Sequence, residues 1–179
     1  MSFKHVEFVL GGARSGKSRF AENVAKHSQL PVKYIATGQA GDGEMATRIQ
    51  HHQQQRPSEW GLVEEPIDLA GVLAEHDAKG QCLLVDCLTL WVTNCLCAQV
   101  EDPEQFWLTE KKKFLQQLQQ CKGTVIIVSN EVGQGIVPLG KLSRQFVDHS
   151  GWLHQEVAQI ADNVVFVVAG LPQVLKGKV

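Results

Sequence analysis

Residues 6–18 read Val6-Glu7-Phe8-Val9-Leu10-Gly11-Gly12-Ala13-Arg14-Ser15-Gly16-Lys17-Ser18. Val6 to Leu10 is a short, mainly apolar run that stops at a glycine pair, as a buried strand does. Gly11 to Ser18 fit the spacing G-x-x-x-x-G-K-[ST], and from Lys17 to about His27 the composition turns helical. Strand, glycine-rich turn and helix, in that order, are what a phosphate-binding loop requires. The glycines let the backbone curl until successive N–H groups face an anion, and the helix adds the positive end of its dipole. Lys17 then reaches the outer phosphates and the Ser18 hydroxyl ligates Mg²⁺. The candidate nucleotide-binding residues here are Gly11, Gly12, Ala13, Arg14, Ser15, Gly16, Lys17 and Ser18, for a nucleoside triphosphate used in phosphoryl or nucleotidyl transfer.

Outward from this loop the chain alternates. Val32 to Ala36, Trp60 to Glu64, Cys82 to Val85, Thr124 to Val128 and Val164 to Val168 read as further strands, the last closing the pattern. Helical composition fills Glu44 to Gln55, Asp68 to His76, Leu88 to Gln99, Glu104 to Gln120 and Ser143 to Ala161, with Asp102-Pro103 as a break. Strands separated by helices imply crossover connections, hence a mostly parallel sheet with helices on both faces. The expectation is one α/β domain over residues 1–179, a P-loop NTPase fold of the RecA-like kind. Such sheets bind ligands beyond the carboxyl ends of their strands. That singles out Gly11 to Ser18, Ala36-Thr37-Gly38, Asp86 and Asn130-Glu131. Asp86 closes the strand that starts at Cys82, where an acidic residue supports the metal of a P-loop site; a strand-end Asp is equally a good turn or helix-cap residue.

Composition narrows the classes. The 179 residues are 44% hydrophobic with a net charge of −2, which suits one globular domain and supplies no basic surplus for nucleic acid. The N-terminal apolar run is too short for a signal segment, and no stretch approaches a membrane span. Cys82, Cys87, Cys95, Cys97 and Cys121 lack paired CxxC spacing, so buried reduced thiols and a cytosolic, cytoplasmic setting are expected.

His51 and His52 are adjacent on the expected Glu44–Gln55 helix, and neighbouring helical residues point about 100° apart. Met45 and Ile49 mark the core stripe; His52 falls near it, while His51 shares the polar side with Glu44, Thr47 and Gln55. If one ring reacts with a ligand, the wheel favours His51, since a neutral imidazole is a capable nucleophile toward phosphorus. A solvent-facing histidine without a role fits the same pattern.

The chain resembles the bifunctional adenosylcobinamide kinase / adenosylcobinamide-phosphate guanylyltransferase family of cobalamin biosynthesis over nearly its whole length. The shared stretches are Gly11 to Arg19, Tyr34 to Thr37, Glu44-Met45 with Arg48 to His52, Arg56-Pro57 with Trp60, Val92 to Asn94, Asn130 to Gly133 and Gly135 to Pro138. The resemblance implies two reactions. ATP or GTP phosphorylates the aminopropanol hydroxyl of adenosylcobinamide; GMP then passes from GTP to adenosylcobinamide phosphate through a guanylyl-histidine, releasing pyrophosphate. It implies His51 as that histidine, and nucleotide contacts from Ala36, Thr37, Gly38, His52, Gln53, Gln54, Gln55, Glu64 and Asp86. Glu64 would accept hydrogen bonds from guanine, or stand as a solvated strand-end charge. Glu131 would act as base or substrate positioner for the kinase half, or as a hydrogen-bonded loop residue. A homotrimer follows from the same resemblance, while Mg²⁺ on Ser18 and Asp86 follows from the loop motif and the strand-end position. Gly38, Asp86, Leu139-Gly140 and His154 depart from the family pattern, His154 standing where asparagine is common. The competing readings are a monofunctional P-loop kinase with His51 idle and a non-catalytic nucleotide-binding module; the Asn-Lys-x-Asp guanine motif of GTPase switches is missing.

Overall fold

A computed structural model describes residues 4–38 and 57–178. Seven strands form one sheet: β1 (His5–Gly11), β2 (Val32–Ala36), β3 (Gly61–Glu64), β4 (Cys82–Asp86), β5 (Thr124–Asn130), β6 (Asn163–Val168) and β7 (Leu171–Lys176). The helices among the described residues are α1 (Lys17–His27), α2 (Leu69–His76), α3 (Leu88–Leu96), α4 (Pro103–Gln120) and α5 (Lys141–Ile160). The expected Glu44–Gln55 helix lies outside the described residues.

The sheet order is β3-β2-β4-β5-β1-β6-β7, and every pairing is parallel except β6 with β7. Alternation along buried strands produces two cores. Val125 and Ile127 of β5 join Phe8, Leu83, Val85, Trp91, Trp107 and Phe114 on one face. Ile126 and Val128 join Val9, Ala21, Ala25, Tyr34 and Leu84 on the other, under α1. Trp91 anchors the larger core, 5.0 Å from both the Trp107 and the Phe114 ring centroids, and its indole N–H reaches the Ile67 carbonyl at 2.6 Å. Asp68 caps α2 by accepting from the Gly71 amide, and Asp102, followed by Pro103, caps α4 through the Gln105 amide.

Two expectations need correction. Val164–Val168 does not close the sheet: β7 follows it through a tight turn, Ala169-Gly170, in which both residues have positive φ (51° and 79°). The cysteines are all free, but Cys97 is exposed, not buried; it caps α3, which ends at Leu96, short of the expected Gln99.

Candidate active site at the carboxyl edge of the sheet

The phosphate loop follows from its own residues. Gly16, at the N-cap of α1, has φ 94°, a conformation that side-chain-bearing residues rarely adopt. A Cβ on Gly11 would sit 2.6 Å from the Val167 carbonyl oxygen and against the Ser15 hydroxyl, so β1 can approach β6 and the loop only as glycine. The Ser15 amide donates back to the Gly12 carbonyl at 3.2 Å, and the Gly170 amide of the β6–β7 turn donates to the Ser15 carbonyl at 2.8 Å. Inside this curl, the Ser15 hydroxyl is buried without a partner. Lys17 is 8% exposed, with Nζ donating to the Gly12 carbonyl at 3.1 Å. Burial lowers its pKa, and the charge of Asp86 partly opposes that. A buried hydroxyl without a partner and a desolvated ammonium beside helix-end N–H groups make a site suited to phosphate oxygens.

The strand ends bring most of the other expected residues to this edge. Gly11 pairs with Asn130, and the Glu131 amide donates to the Gly11 carbonyl at 3.0 Å, so Glu131 stands beside the loop. Ala36 pairs with Asp86 on one side and Glu64 on the other. Asp86 is half-buried and its Oδ2 accepts from the Tyr34 hydroxyl at 2.9 Å. Glu64 is exposed at the outer edge, well away from the loop, and Gly38 is half-buried just past β2. His51, His52, Gln53, Gln54 and Gln55 lie outside the described residues.

Thr37 is fully buried and committed to the protein. Its hydroxyl donates to the Cys87 carbonyl at 2.7 Å and accepts from the Cys87 amide at 2.9 Å; its amide donates to the Asp86 carbonyl and its own carbonyl accepts from Asn94 Nδ2 at 2.8 Å. Asn94 also donates to the Pro66 carbonyl at 3.1 Å, tying the ends of β2 and β3 to α3. Asn130 donates to the Thr89 hydroxyl at 2.8 Å, and burial pushes the neighbouring Cys87 thiol up to about 11, which keeps it an unreactive thiol.

Behind Glu131 lies a buried pair that sequence reading assigned no role. His154 of α5 bonds Ser129 Oγ through Nε2 at 2.8 Å, and its Nδ1 is 3.9 Å from Glu131 Oε2. Burial lowers the His154 pKa, so the ring is held neutral. Glu131 Oε1 accepts from the Gly133 amide at 2.6 Å. The available signals were a tyrosine within an apolar strand, which needs a partner for its hydroxyl, and a histidine on the buried stripe of α5 between Ser150 and Val157.

A parallel sheet with a phosphate loop after β1 and an acidic strand end two positions away defines a P-loop NTPase of RecA-like topology. Solved structures agree at the level of fold. A protein from Pyrococcus horikoshii OT3 aligns over 99% of this chain and 88% of its own with TM-score 0.57 at 9% identity. The RadB recombinase aligns over 92% and 74% with TM-score 0.51 at 16% identity. Within that class, residues 7–175 match the family model described as cobinamide kinase / cobinamide phosphate guanyltransferase, and the chain belongs to that family. It is 53% identical to the bifunctional adenosylcobalamin biosynthesis protein CobP of Pseudomonas aeruginosa, covering 96% of this chain and 98% of that one. It is 40% identical to the proteins CobU of Salmonella typhimurium and of Escherichia coli, over 91% of this chain and 95% of each. The chain is thus a transferase with the two activities of its family, acting on nucleotides and cobinamide in cobalamin biosynthesis.

Proposed function

We propose that the chain runs both half-reactions over the one phosphate loop, acting as a single domain, with His51 as the covalent carrier of GMP. In the kinase half, the aminopropanol hydroxyl of adenosylcobinamide attacks the γ-phosphorus of ATP or GTP. The bond from that phosphorus to the bridging oxygen breaks, leaving the nucleoside diphosphate. Glu131, beside the loop, positions the hydroxyl and accepts its proton. In the second half, neutral His51 attacks the α-phosphorus of GTP and pyrophosphate leaves, its charge met by Lys17 and the loop N–H groups. The phosphate oxygen of adenosylcobinamide phosphate then displaces the imidazole, giving adenosylcobinamide-GDP and freeing His51.

Ser18 and Asp86 would hold Mg²⁺. The donors fit: both are hard oxygen ligands, Ser18 in the first turn of α1 and Asp86 at the end of β4. That suits an ion which keeps several waters and is held by one or two protein oxygens together with phosphate. When bound, Mg²⁺ neutralises charge on the transferring phosphates. In this reading Gly11 to Ser18, Ala36 to Gly38, His52 to Gln55, Glu64 and Asp86 surround the nucleotides, Thr37 through the frame it holds. Among the described residues no helix is long and apolar enough to cross a membrane; the proposal extends to a cytoplasmic homotrimer, as the family resemblance implies.

The observation that carries the reading is the phosphate loop itself, with its buried, unpartnered Ser15 hydroxyl and desolvated Lys17. The test is incubation with Mg²⁺ and GTP labelled at either the α or the γ phosphate. Protein label that is acid-labile, arises from α-labelled GTP alone and disappears in His51→Ala is the expected result. Absence of α label, or its persistence in His51→Ala, removes the covalent mechanism.

A further inference from the structure

Exposed aliphatics gather at two places, the β6–β7 hairpin (Val168, Leu171, Val174 and Leu175) and the crossing from β5 to α5, and only the second starts beside the phosphate loop at Glu131. Ile136 and Leu139 are each 97% exposed, Val137 is 72% exposed, and Leu142, at the start of α5, is 51% exposed. Single exposed aliphatics are ordinary; four within residues 136–142 form a local apolar patch. The display is a held one. Arg144 donates to the carbonyls of both Pro138 and Leu139, and Glu131 Oε1 takes the Gly133 amide, so the backbone is pinned at both ends of the loop while the aliphatic side chains face outward. Beside the patch, Leu142 and Phe146 face Thr93, Leu96 and Cys97 around a cavity of about 200 Å³. That volume takes a substituent, not a whole macrocycle.

What the patch touches names its occupant. The crossing that carries it starts at Glu131, whose amide donates to the Gly11 carbonyl at 3.0 Å, so the segment leaves the sheet beside the phosphate loop and reaches Ile136 five residues later. The family's acceptor, cobinamide, is a broad corrin disc with methyl-bearing faces, amide arms around the rim and one arm carrying the reacting group. A rigid apolar platform with exposed backbone at Gly133, Gly135 and Gly140 matches both parts of that chemistry. We propose that the Ile136–Leu142 segment is the seat of the corrinoid acceptor. The aliphatic side chains lie against the macrocycle, the exposed backbone bonds its amide arms, and the reacting arm is directed along Glu131 toward the loop.

The double variant Ile136→Ser/Leu139→Ser tests this, since both side chains are almost wholly in solvent and contribute little to folding. Three quantities are measured on the full chain: the corrinoid KM in the kinase reaction, ATP affinity, and the sedimentation coefficient. The proposal expects the corrinoid KM to rise about tenfold or more, with kcat at saturation, ATP affinity and sedimentation unchanged. An unchanged corrinoid KM overturns it. So does a shift to a smaller sedimenting species, which would make the patch a contact between copies of the chain.

Discussion

At Thr37, hydroxyl, amide and carbonyl are all bonded within the protein, and the residue is completely buried. A small hydroxyl at a strand end reads as a ligand contact, but here it joins the end of β2 to the Asp86–Cys87 step. The consequence is measurable. Thr37→Val keeps the volume while stripping the Cys87 carbonyl and amide of their partner. Each unsatisfied buried group costs about 1–3 kcal/mol, so unfolding free energy should drop by about 2 kcal/mol or more. Urea denaturation reads this directly, and a loss below about 0.5 kcal/mol would mean that the hydroxyl is not the strut described. Asn94 belongs to the same frame. Its side chain spans the Thr37 and Pro66 carbonyls, which gives the asparagine of this mainly apolar helix its partners.

Helix α5 carries two buried histidines, His149 and His154, and burial lowers the pKa of each below its ordinary 6.5. The unfolded chain therefore takes up protons near pH 6.5 that the folded helix refuses, and stability falls as the pH drops through that value. His5 works in the opposite sense: Glu7 raises its pKa, so its stabilisation is complete below 6.5 and fades as the pH rises through the raised value. A thermal melt series from pH 7.5 down to 5.5 should show a declining midpoint, and His154→Asn, which cannot be protonated, should decline less. Parallel curves for the two proteins would remove His154 from the account. Elements of this kind were only partly legible. The runs Val6–Leu10, Cys82–Val85 and Thr124–Val128 declare themselves because strands covered on both faces are apolar throughout. Strand β7 did not: all six of its residues are exposed and Pro172 interrupts it, so only its hydrogen bonds to β6 define it. The Ser129–His154–Glu131 arrangement was illegible for another reason, since it joins residues on β5 and α5 that only the fold brings together.

Across the whole molecule the sheet order stretches the site. Glu64 ends β3 and Gly11 ends β1, four strand positions apart in the order β3-β2-β4-β5-β1. At about 4.8 Å per strand that is roughly 19 Å, with Asp86 at the midpoint. The site read from sequence is thus spread along one edge, from the phosphate end at β1 through Asp86 on β4 to Glu64 on β3, and periodicity alone could not reveal that separation. Only a nucleotide laid lengthwise along the edge puts guanine at Glu64 and its outer phosphates in the loop. Glu64 is exposed and its loss should leave the fold intact, so Glu64→Ala isolates the far end. If guanine is read there, the GTP KM for labelling His51 should rise about tenfold and preference over ATP should fall, because adenine cannot offer the N1 and 2-amino donors that a carboxylate accepts. Binding of tripolyphosphate, which probes the loop alone, should not change. Undiminished guanine preference in Glu64→Ala would place base recognition nearer the loop, on the β1 side of Asp86.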